Sequence, residues 1–185
     1  MTDRDGRAVI LAAGTSSRVG KQKLLMDFRG RPLIDYAIAA AGRWNPVVVA
    51  GPEVCGYLAG RHGVTLVAND KPERGMSHSL ALANRFVPDD LAIIVLLGDK
   101  PRVSEGLIET ICRAAGEADV VYPVRGEEPG HPVRLSPRAR KRIAALPRGD
   151  TLRRLRGDRQ LTALAVETDD PGAVFDVDTT GAFGA

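Results

Sequence analysis

The sequence predicts an α/β fold with a mixed, mostly parallel central sheet and helices on both faces. Three observations support this fold class. Short apolar runs alternate with helical patterns along the chain. The runs are almost purely Ala, Val, Ile and Leu, which is typical of strands buried on both faces of a sheet. The length of 185 residues suits a single domain.

The first 124 residues alternate between strand and helix patterns. Pro32 begins the first helix and Gly42 lies near its end, while Ser104 and an early Glu mark the start of the fourth helix. Alternation of this kind favours parallel strands joined by helical crossovers. Strands are predicted over residues 8–13, 47–51, 64–70, 91–99 and 118–124, and helices over residues 32–43, 53–63, 76–86 and 104–116.

The pattern changes after Val124. A short strand (131–136) precedes a basic helix (137–146), a second short helix (150–156) and two strands (160–167 and 173–179). We expect residues 125–185 to extend the same sheet, so that 1–185 form one domain with two halves.

The charge is unevenly distributed. The net charge is +3, yet residues 134–159 alone carry ten Lys/Arg and two Asp, a local charge of +8. This block indicates an anionic partner, or arginines that solvate helix faces. Aromatic residues make up only 4% and do not interleave with the block, which disfavours nucleic acid as the partner.

The remaining composition predicts a cytoplasmic protein. No apolar run reaches the roughly 18 residues of a membrane span, and the N-terminal residues lack an apolar signal core. Cys55 and Cys112 have no metal-binding spacing, so we interpret both as reduced thiols.

Three turns follow predicted strands and should meet at one edge of the sheet. They are Ala12 to Lys23, the loop at Gly75, and Gly98 to Pro101. Open parallel sheets bind ligands at the carboxyl ends of their strands. In the first turn, small residues, hydroxyls, Arg18 and Lys23 suit phosphate binding, although a plain Gly/Ser turn with solvated cations fits the same residues.

Five motifs in order carry a family resemblance. They are "LAAGTSSRVGKQK" (11–23), "RGMSHSL" (74–80), "LLGDKP" (96–101), "GHPVRLS" (130–136) and "FDVDT" (175–179). The set resembles the MobA-like NTP transferases, and it is most similar to the molybdenum cofactor cytidylyltransferases of the MocA type, because the first motif reads LAAG rather than LAGG.

The resemblance implies a three-layer Rossmann-like fold of the nucleotide-diphospho-sugar transferase kind, with residues 1–124 as the nucleotide-binding half and residues 125–185 on the acceptor side. It implies magnesium-dependent (Mg2+) transfer of CMP from CTP to molybdopterin, with release of pyrophosphate. The implied catalytic residues are Arg18, Lys23 and Asp99. The implied nucleotide-binding residues are Leu11, Ala12, Ala13, Gly14, Thr15, Ser16, Ser17, Arg18, Lys23, Gly75, Met76, Ser77 and Ser79.

Asp99 and Asp178 are the implied metal ligands. A carboxylate at the mouth of an apolar strand suits a hard divalent cation. Asp176 would share a face with Asp178 in a regular strand, and a simple acidic edge strand is the alternative for this segment. His131 and Arg134 are the implied acceptor-binding residues, although a structural histidine in a strand fits the pattern equally well.

The chain departs from the family in its second half. Lys100 replaces the Gln of LLGDQP, and the GDxGxR segment reads "RGDTLRRLR". Other functions therefore stay open: transfer to a sugar phosphate, phosphocholine or methylerythritol phosphate, or a non-catalytic chaperone that delivers cofactor to a molybdoenzyme.

Overall fold

The computed structural model describes residues 6–14, 22–147 and 151–177. Its strands are β1 (Arg7–Ala12), β2 (Asp27–Phe28), β3 (Arg31–Pro32), β4 (Val47–Ala50), β5 (Thr65–Ala68), β6 (Ile93–Leu97), β7 (Val120–Arg125), β8 (Glu128–Pro129), β9 (Val133–Leu135) and β10 (Ala163–Glu167). The helices are α1 (Leu33–Ala40), α2 (Pro52–Leu58), α3 (Met76–Asn84), α4 (Glu105–Ala114), α5 (Pro137–Arg140) and α6 (Thr151–Arg156).

The main sheet is mixed and mostly parallel, as predicted. Its order is β10-β7-β9-β6-β1-β4-β5, with β8 paired to β7. The pairs β6-β1, β1-β4, β4-β5 and β10-β7 are parallel, whereas β9 runs antiparallel to both of its neighbours. The chain leaves β1 toward β4 on one side and later adds β6 on the other. The carboxyl ends of β1 and β6 therefore flank a topological switch point, where open α/β sheets bind their ligands.

Residues of β1 explain why the strands read as continuous apolar runs. Ala8 and Ile10 belong to the core beneath α1 and α4, whereas Val9 and Leu11 belong to the core beneath α3, α5 and α6. Successive side chains of a strand point to opposite faces. A strand covered on both faces must therefore be apolar at every position, and no residue of β1 from Ala8 to Ala12 is more than 9% exposed.

The strand predicted over residues 173–179 is wrong within the described part of the chain. Residues Pro171–Ala173 form a 3-10 turn, and no strand covers 174–177. Close backbone packing explains the difference. A Cβ at Gly172 would lie 2.1 Å from the carbonyl oxygen of Arg102, and one at Gly130 would lie 2.3 Å from that of Ala173. The segment is thus packed against neighbouring loops rather than paired along a sheet edge.

Arg140 shows that part of the basic block is structural. The predicted basic helix ends early, as α5 followed by a 3-10 turn, and the Arg140 side chain is turned inward with only 3% exposure. Its guanidinium donates to the backbone carbonyls of Asn84, Val87, Pro88 and Leu91 and to the side chain of Asn84. It thereby supplies hydrogen-bond donors to carbonyls at and after the end of α3.

Candidate functional site

A cavity of about 430 Å³ opens at the carboxyl ends of β1 and β6. This volume lies within the usual range of small-molecule sites, roughly 300–1,000 Å³. The three turns predicted to meet do meet here. The lining residues are Leu11, Ala12, Ala13, Gly14, Gln22, Lys23, Leu24, Pro72, Gly75, Met76, Ser79, Leu97 and Asp99.

Gly98 brings the end of β6 against the end of β1. Its amide donates to the Leu11 carbonyl oxygen at 3.0 Å. A Cβ at Gly98 would lie 2.9 Å from Ile34 Cδ1 and 3.2 Å from Leu24 Cδ1, so a larger residue would have to displace the ends of these side chains. The glycine of "LLGDKP" therefore permits the close packing that places Asp99 beside the first turn.

Lys23 and Asp99 form an ion pair within the cavity. Lys23 Nζ lies 3.2 Å from Asp99 Oδ2, and the side chains are 17% and 33% exposed. Lys23 begins a 3-10 turn that the Gln22 side chain caps by accepting from the Leu24 amide. Two residues 76 positions apart thus place opposite charges together at the switch point. The pair offers a cation to a polyphosphate and a carboxylate to a metal ion.

The donor set around Asp99 fits a cation that is shared with a substrate. The described residues contain no group of three His, Cys, Asp or Glu side chains that could hold a metal by themselves. Magnesium commonly takes one or two carboxylates and completes its shell with phosphate oxygens and water. A single accessible carboxylate beside a cavity lined by backbone and a lysine is consistent with such a site.

The turn before α3 forms a second wall. Gly75 has φ +82° and ψ −175°, a conformation that is essentially restricted to glycine, and it precedes Met76, the first residue of α3. Met76 and Ser79 line the cavity. Ser77 is buried but does not line it. Gly75, Met76 and Ser79 therefore line the same cavity as Ala13 and Gly14 of the first turn.

Asn69 supports this wall and escaped the sequence analysis. It is 1% exposed, and its backbone amide donates to the Ala50 carbonyl. Its side-chain amide bonds Lys71 N and Ser79 Oγ, each at 2.9 Å. A polar residue directly after a buried strand, in "VTLVAND", was the signal that could have identified it.

A segment near the end of the described residues, 171–177 (the closing segment), packs against the turn that carries Asp99. The Val177 amide donates to the Asp99 carbonyl oxygen at 3.2 Å. Lys100 Nζ donates to the Val174 carbonyl oxygen at 3.0 Å and lies 3.7 Å from Asp176 Oδ2. Asp176 thus pairs with a buried lysine. Asp178, Arg18, Thr15, Ser16 and Ser17 lie outside the described residues.

The two predicted acceptor residues are not brought together at the cavity. Neither His131 nor Arg134 lines it. Arg134 is paired across the sheet with Ile94 and Val121, so it extends from the face covered by α4. Of the strand residues that line the cavity, Leu11 and Leu97 belong to the opposite face, whereas Ala12 belongs to the same face as Ile94. Arg134 therefore lies on the face covered by α4 and outside the cavity lining, which its place in the motif did not reveal.

His131 lies next to the closing segment, where its amide donates to the Ala173 carbonyl. Burial, together with the charges of Lys100 and Arg156, lowers the pKa of His131 to about 3. Its Nε2 is buried and makes no hydrogen bond to any residue that the structure describes. The ring is therefore neutral at physiological pH.

Residues 8–165 match the sequence profile of the MobA-like NTP transferase domain. The chain belongs to the MobA-like NTP transferase family. The match runs from β1 to β10 and includes the cavity.

Curated relatives and solved structures agree with this family. The chain is 33% identical over 134 residues to the bifunctional protein GlmU of Pelotomaculum thermopropionicum. The aligned region covers 68% of this chain but only 29% of that GlmU. The chain therefore spans less than a third of the length of this relative. A nucleotidyl transferase from Methanothermobacter, Mth528, superposes with a TM-score of 0.79 at 26% identity, covering 96% of this chain and 93% of that one.

The structure of Rv0371C from Mycobacterium tuberculosis H37Rv in complex with manganese has the same fold. Its TM-score is 0.77 at 23% identity, with 96% of this chain and 95% of that chain covered. The predicted Rossmann-like fold is confirmed. No helix among the described residues of this MobA-like chain is long and apolar enough to cross a membrane.

Proposed function

We propose that this MobA-like chain is a CTP:molybdopterin cytidylyltransferase, which transfers CMP from CTP to the phosphate of molybdopterin and releases pyrophosphate. One observation supports nucleotidyl transfer above all: Lys23 and Asp99 share a cavity with the Gly75–Ser79 turn at the switch point. The choice of CTP and of molybdopterin follows from the LAAG form of the first motif and from the five motifs in order.

The reaction places modest demands on acid–base chemistry. The acceptor phosphate is already ionised, so an acceptor oxygen can attack the α-phosphorus while the bond to the β-phosphate breaks. Such a step requires alignment and charge neutralisation. The Lys23 ammonium group, aided by Arg18, would hold the triphosphate and offset the charge that grows on the departing pyrophosphate.

The first turn would supply the rest of the triphosphate contacts. Ala13 and Gly14 follow the last residue of β1, and they have little or no side chain to keep a ligand away from the backbone. Their amides, with the hydroxyls of Thr15, Ser16 and Ser17, would bind the phosphate oxygens.

Asp99 and Asp178 would hold the divalent cation, which when bound neutralises charge on the α-phosphate. Asp99 is suited to this role because its carboxylate is one-third exposed at the cavity. The proximity of Val177 to Asp99 places the residue before Asp178 at the same turn.

The acceptor side retains a positive surface. Arg153 and Arg154 of α6 are exposed, and they belong to the half of the chain that follows β7. A positive surface attracts an anionic acceptor over several ångströms. His131 and Arg134 stay the proposed acceptor-side residues, with Arg134 on the face of the sheet covered by α4.

The test is a pyrophosphate-release assay with Mg2+, each of the four NTPs and a panel of acceptors. The panel contains molybdopterin, a sugar phosphate, phosphocholine and methylerythritol phosphate. Release only with CTP and molybdopterin is expected. Release with another acceptor would correct the substrate, and nucleotide binding without any release would favour the cofactor chaperone.

Asp99→Ala is expected to abolish metal-dependent turnover while the protein stays folded. Asp89→Ala is the matched control, because Asp89 is exposed in the loop between α3 and β6, away from the cavity. Near-normal turnover in a folded Asp99→Ala protein would remove the metal assignment.

A further inference from the structure

Ser79 presents an unused proton at the cavity. Its hydroxyl accepts a hydrogen bond from Asn69 Nδ2 at 2.9 Å. No described residue accepts a hydrogen bond from the Ser79 hydroxyl. A serine on a helix can donate to the carbonyl four residues earlier, but here that interaction is not formed. The side chain is almost fully buried yet lines the cavity, so an acceptor atom for its proton must come from a ligand or from solvent.

The orientation of the Asn69 amide follows from the chemistry of its partners. The Lys71 backbone N–H can only donate, so it must face the Asn69 carbonyl oxygen Oδ1 at 2.9 Å. The Asn69 NH2 group must then face Ser79 and donate to Oγ. Because Asn69 is 1% exposed and its backbone is bonded to β4, the side chain is held in this orientation.

We infer that Asn69 is a positioning residue that makes Ser79 a hydrogen-bond donor to the nucleoside part of the substrate. This inference rests on the proposed function. Since Asn69 already occupies the Ser79 oxygen as a donor, the hydroxyl proton has to point elsewhere. Lys23 and Asp99 supply the charges for the phosphate end of the cavity, so the wall with Pro72, Met76 and Ser79 faces the nucleoside. The ligand atom is a carbonyl oxygen of the base or a hydroxyl oxygen of the ribose.

The exchange Asn69→Asp tests the direction of this hydrogen bond. One carboxylate oxygen can still accept from Lys71, but the other can only accept from Ser79. The Ser79 hydroxyl then donates its hydrogen bond to this carboxylate oxygen, and only a lone pair of Ser79 Oγ faces the ligand. Ser79→Ala removes the donor outright. Each variant should weaken CTP binding by about two- to tenfold, the range of one neutral hydrogen bond.

Isothermal titration with CTP and with inorganic tripolyphosphate separates the two ends of the cavity. Both variants should weaken CTP binding and leave tripolyphosphate binding unchanged. The double variant Asn69→Asp/Ser79→Ala should bind CTP no more weakly than Ser79→Ala, because no hydroxyl remains for residue 69 to orient. With 2′-deoxy-CTP, a variant effect that disappears assigns the contact to the ribose, and one that persists assigns it to the base or the 3′-hydroxyl.

The control is Asn84→Asp, the same exchange at the other end of α3, where the oxygen that accepts from Arg140 is retained. It should leave both affinities unchanged. Unchanged CTP binding in Ser79→Ala, additive losses in the double variant, or equal losses for tripolyphosphate would each overturn the inference. A wild-type chain that binds no NTP would instead overturn the proposed function.

Discussion

Replacing Lys23 with Met should raise the metal affinity of the nucleotide-free protein. The Lys23 ammonium group lies 3.2 Å from Asp99 Oδ2, where it competes with any divalent cation for the same carboxylate. Methionine keeps most of the apolar stem but removes the competing charge. In the wild-type chain, a triphosphate that attracts Lys23 would remove the same competitor, so nucleotide and metal should each strengthen the binding of the other.

The size of the effect follows from the exposure of the pair. A hydrogen bond to a charged group contributes about 1.5–3 kcal/mol when buried, whereas exposed ion pairs contribute about 0.2–1 kcal/mol. With side chains 17% and 33% exposed, this pair lies between the two ranges. A value of about 1.4 kcal/mol corresponds to a tenfold increase in metal affinity.

Electron paramagnetic resonance of Mn2+ titrated into the free protein measures this affinity directly. Lys23→Met should bind Mn2+ about tenfold more tightly than the wild type, and Asp99→Asn should lose most of the binding in either background. Equal Mn2+ affinity in Lys23→Met and the wild type, with loss in Asp99→Asn, would refute the competition. Binding that survives Asp99→Asn would refute the role of Asp99 itself.

Three further predictions concern stability. Gly75→Ala forces a side chain into the conformation at φ +82° and should cost about 1–3 kcal/mol of stability, which lowers the Tm by about 3–10 °C. The control Gly42→Ala should change the Tm little, because its added Cβ would meet no atom within 4 Å. Arg140→Met leaves several carbonyls without a donor and should lower the free energy of unfolding, measured with urea, by about 3 kcal/mol or more. The control Arg113→Met, on an exposed helix surface, should lower it by less than about 0.5 kcal/mol. The folded-state pKa of His131 near 3 lies below its unfolded value of about 6.5, so the unfolded chain takes up this proton first. Stability should therefore fall as the pH drops from about 6.5 toward 3, by up to about 1.4 kcal/mol per pH unit, and urea titrations of His131→Asn at pH 7 to 4 should show a smaller dependence. An unchanged dependence in this variant would contradict the burial argument.

The cavity at the ends of β1 and β6 was predictable because its signals are local in the sequence. Apolar runs covered on both faces identify β1, β4 and β6, and glycine-rich turns directly after β1 and β6 identify the site. Ligands of α/β sheets bind at strand ends. Lys23 and Asp99 could therefore be placed together, although 76 residues separate them in sequence.

The second half of the chain was less predictable because the positions of its side chains depend on packing. A one-residue shift along a strand moves a side chain to the opposite face. The register of β9 therefore determines that Arg134 lies on the face covered by α4. Likewise, the sequence does not distinguish Arg140 from the solvated arginines of the basic block. In the structure its guanidinium is buried, because it donates to backbone carbonyls after α3. Asn69 carries no motif, and its importance emerges only from its hydrogen bonds to Lys71 and Ser79.

The cavity lies at the ends of β1 and β6, the two central strands of the main sheet. Further strands lie on both sides of this central pair, out to β5 on one side and out to β10 on the other. Each edge strand is separated by at least one other strand from the pair β1 and β6, whose ends carry the Lys23–Asp99 ion pair. The segments near α6 and β10 that depart from the family motifs thus belong to one margin of the sheet, whereas the two strands that carry the cavity stand at its centre.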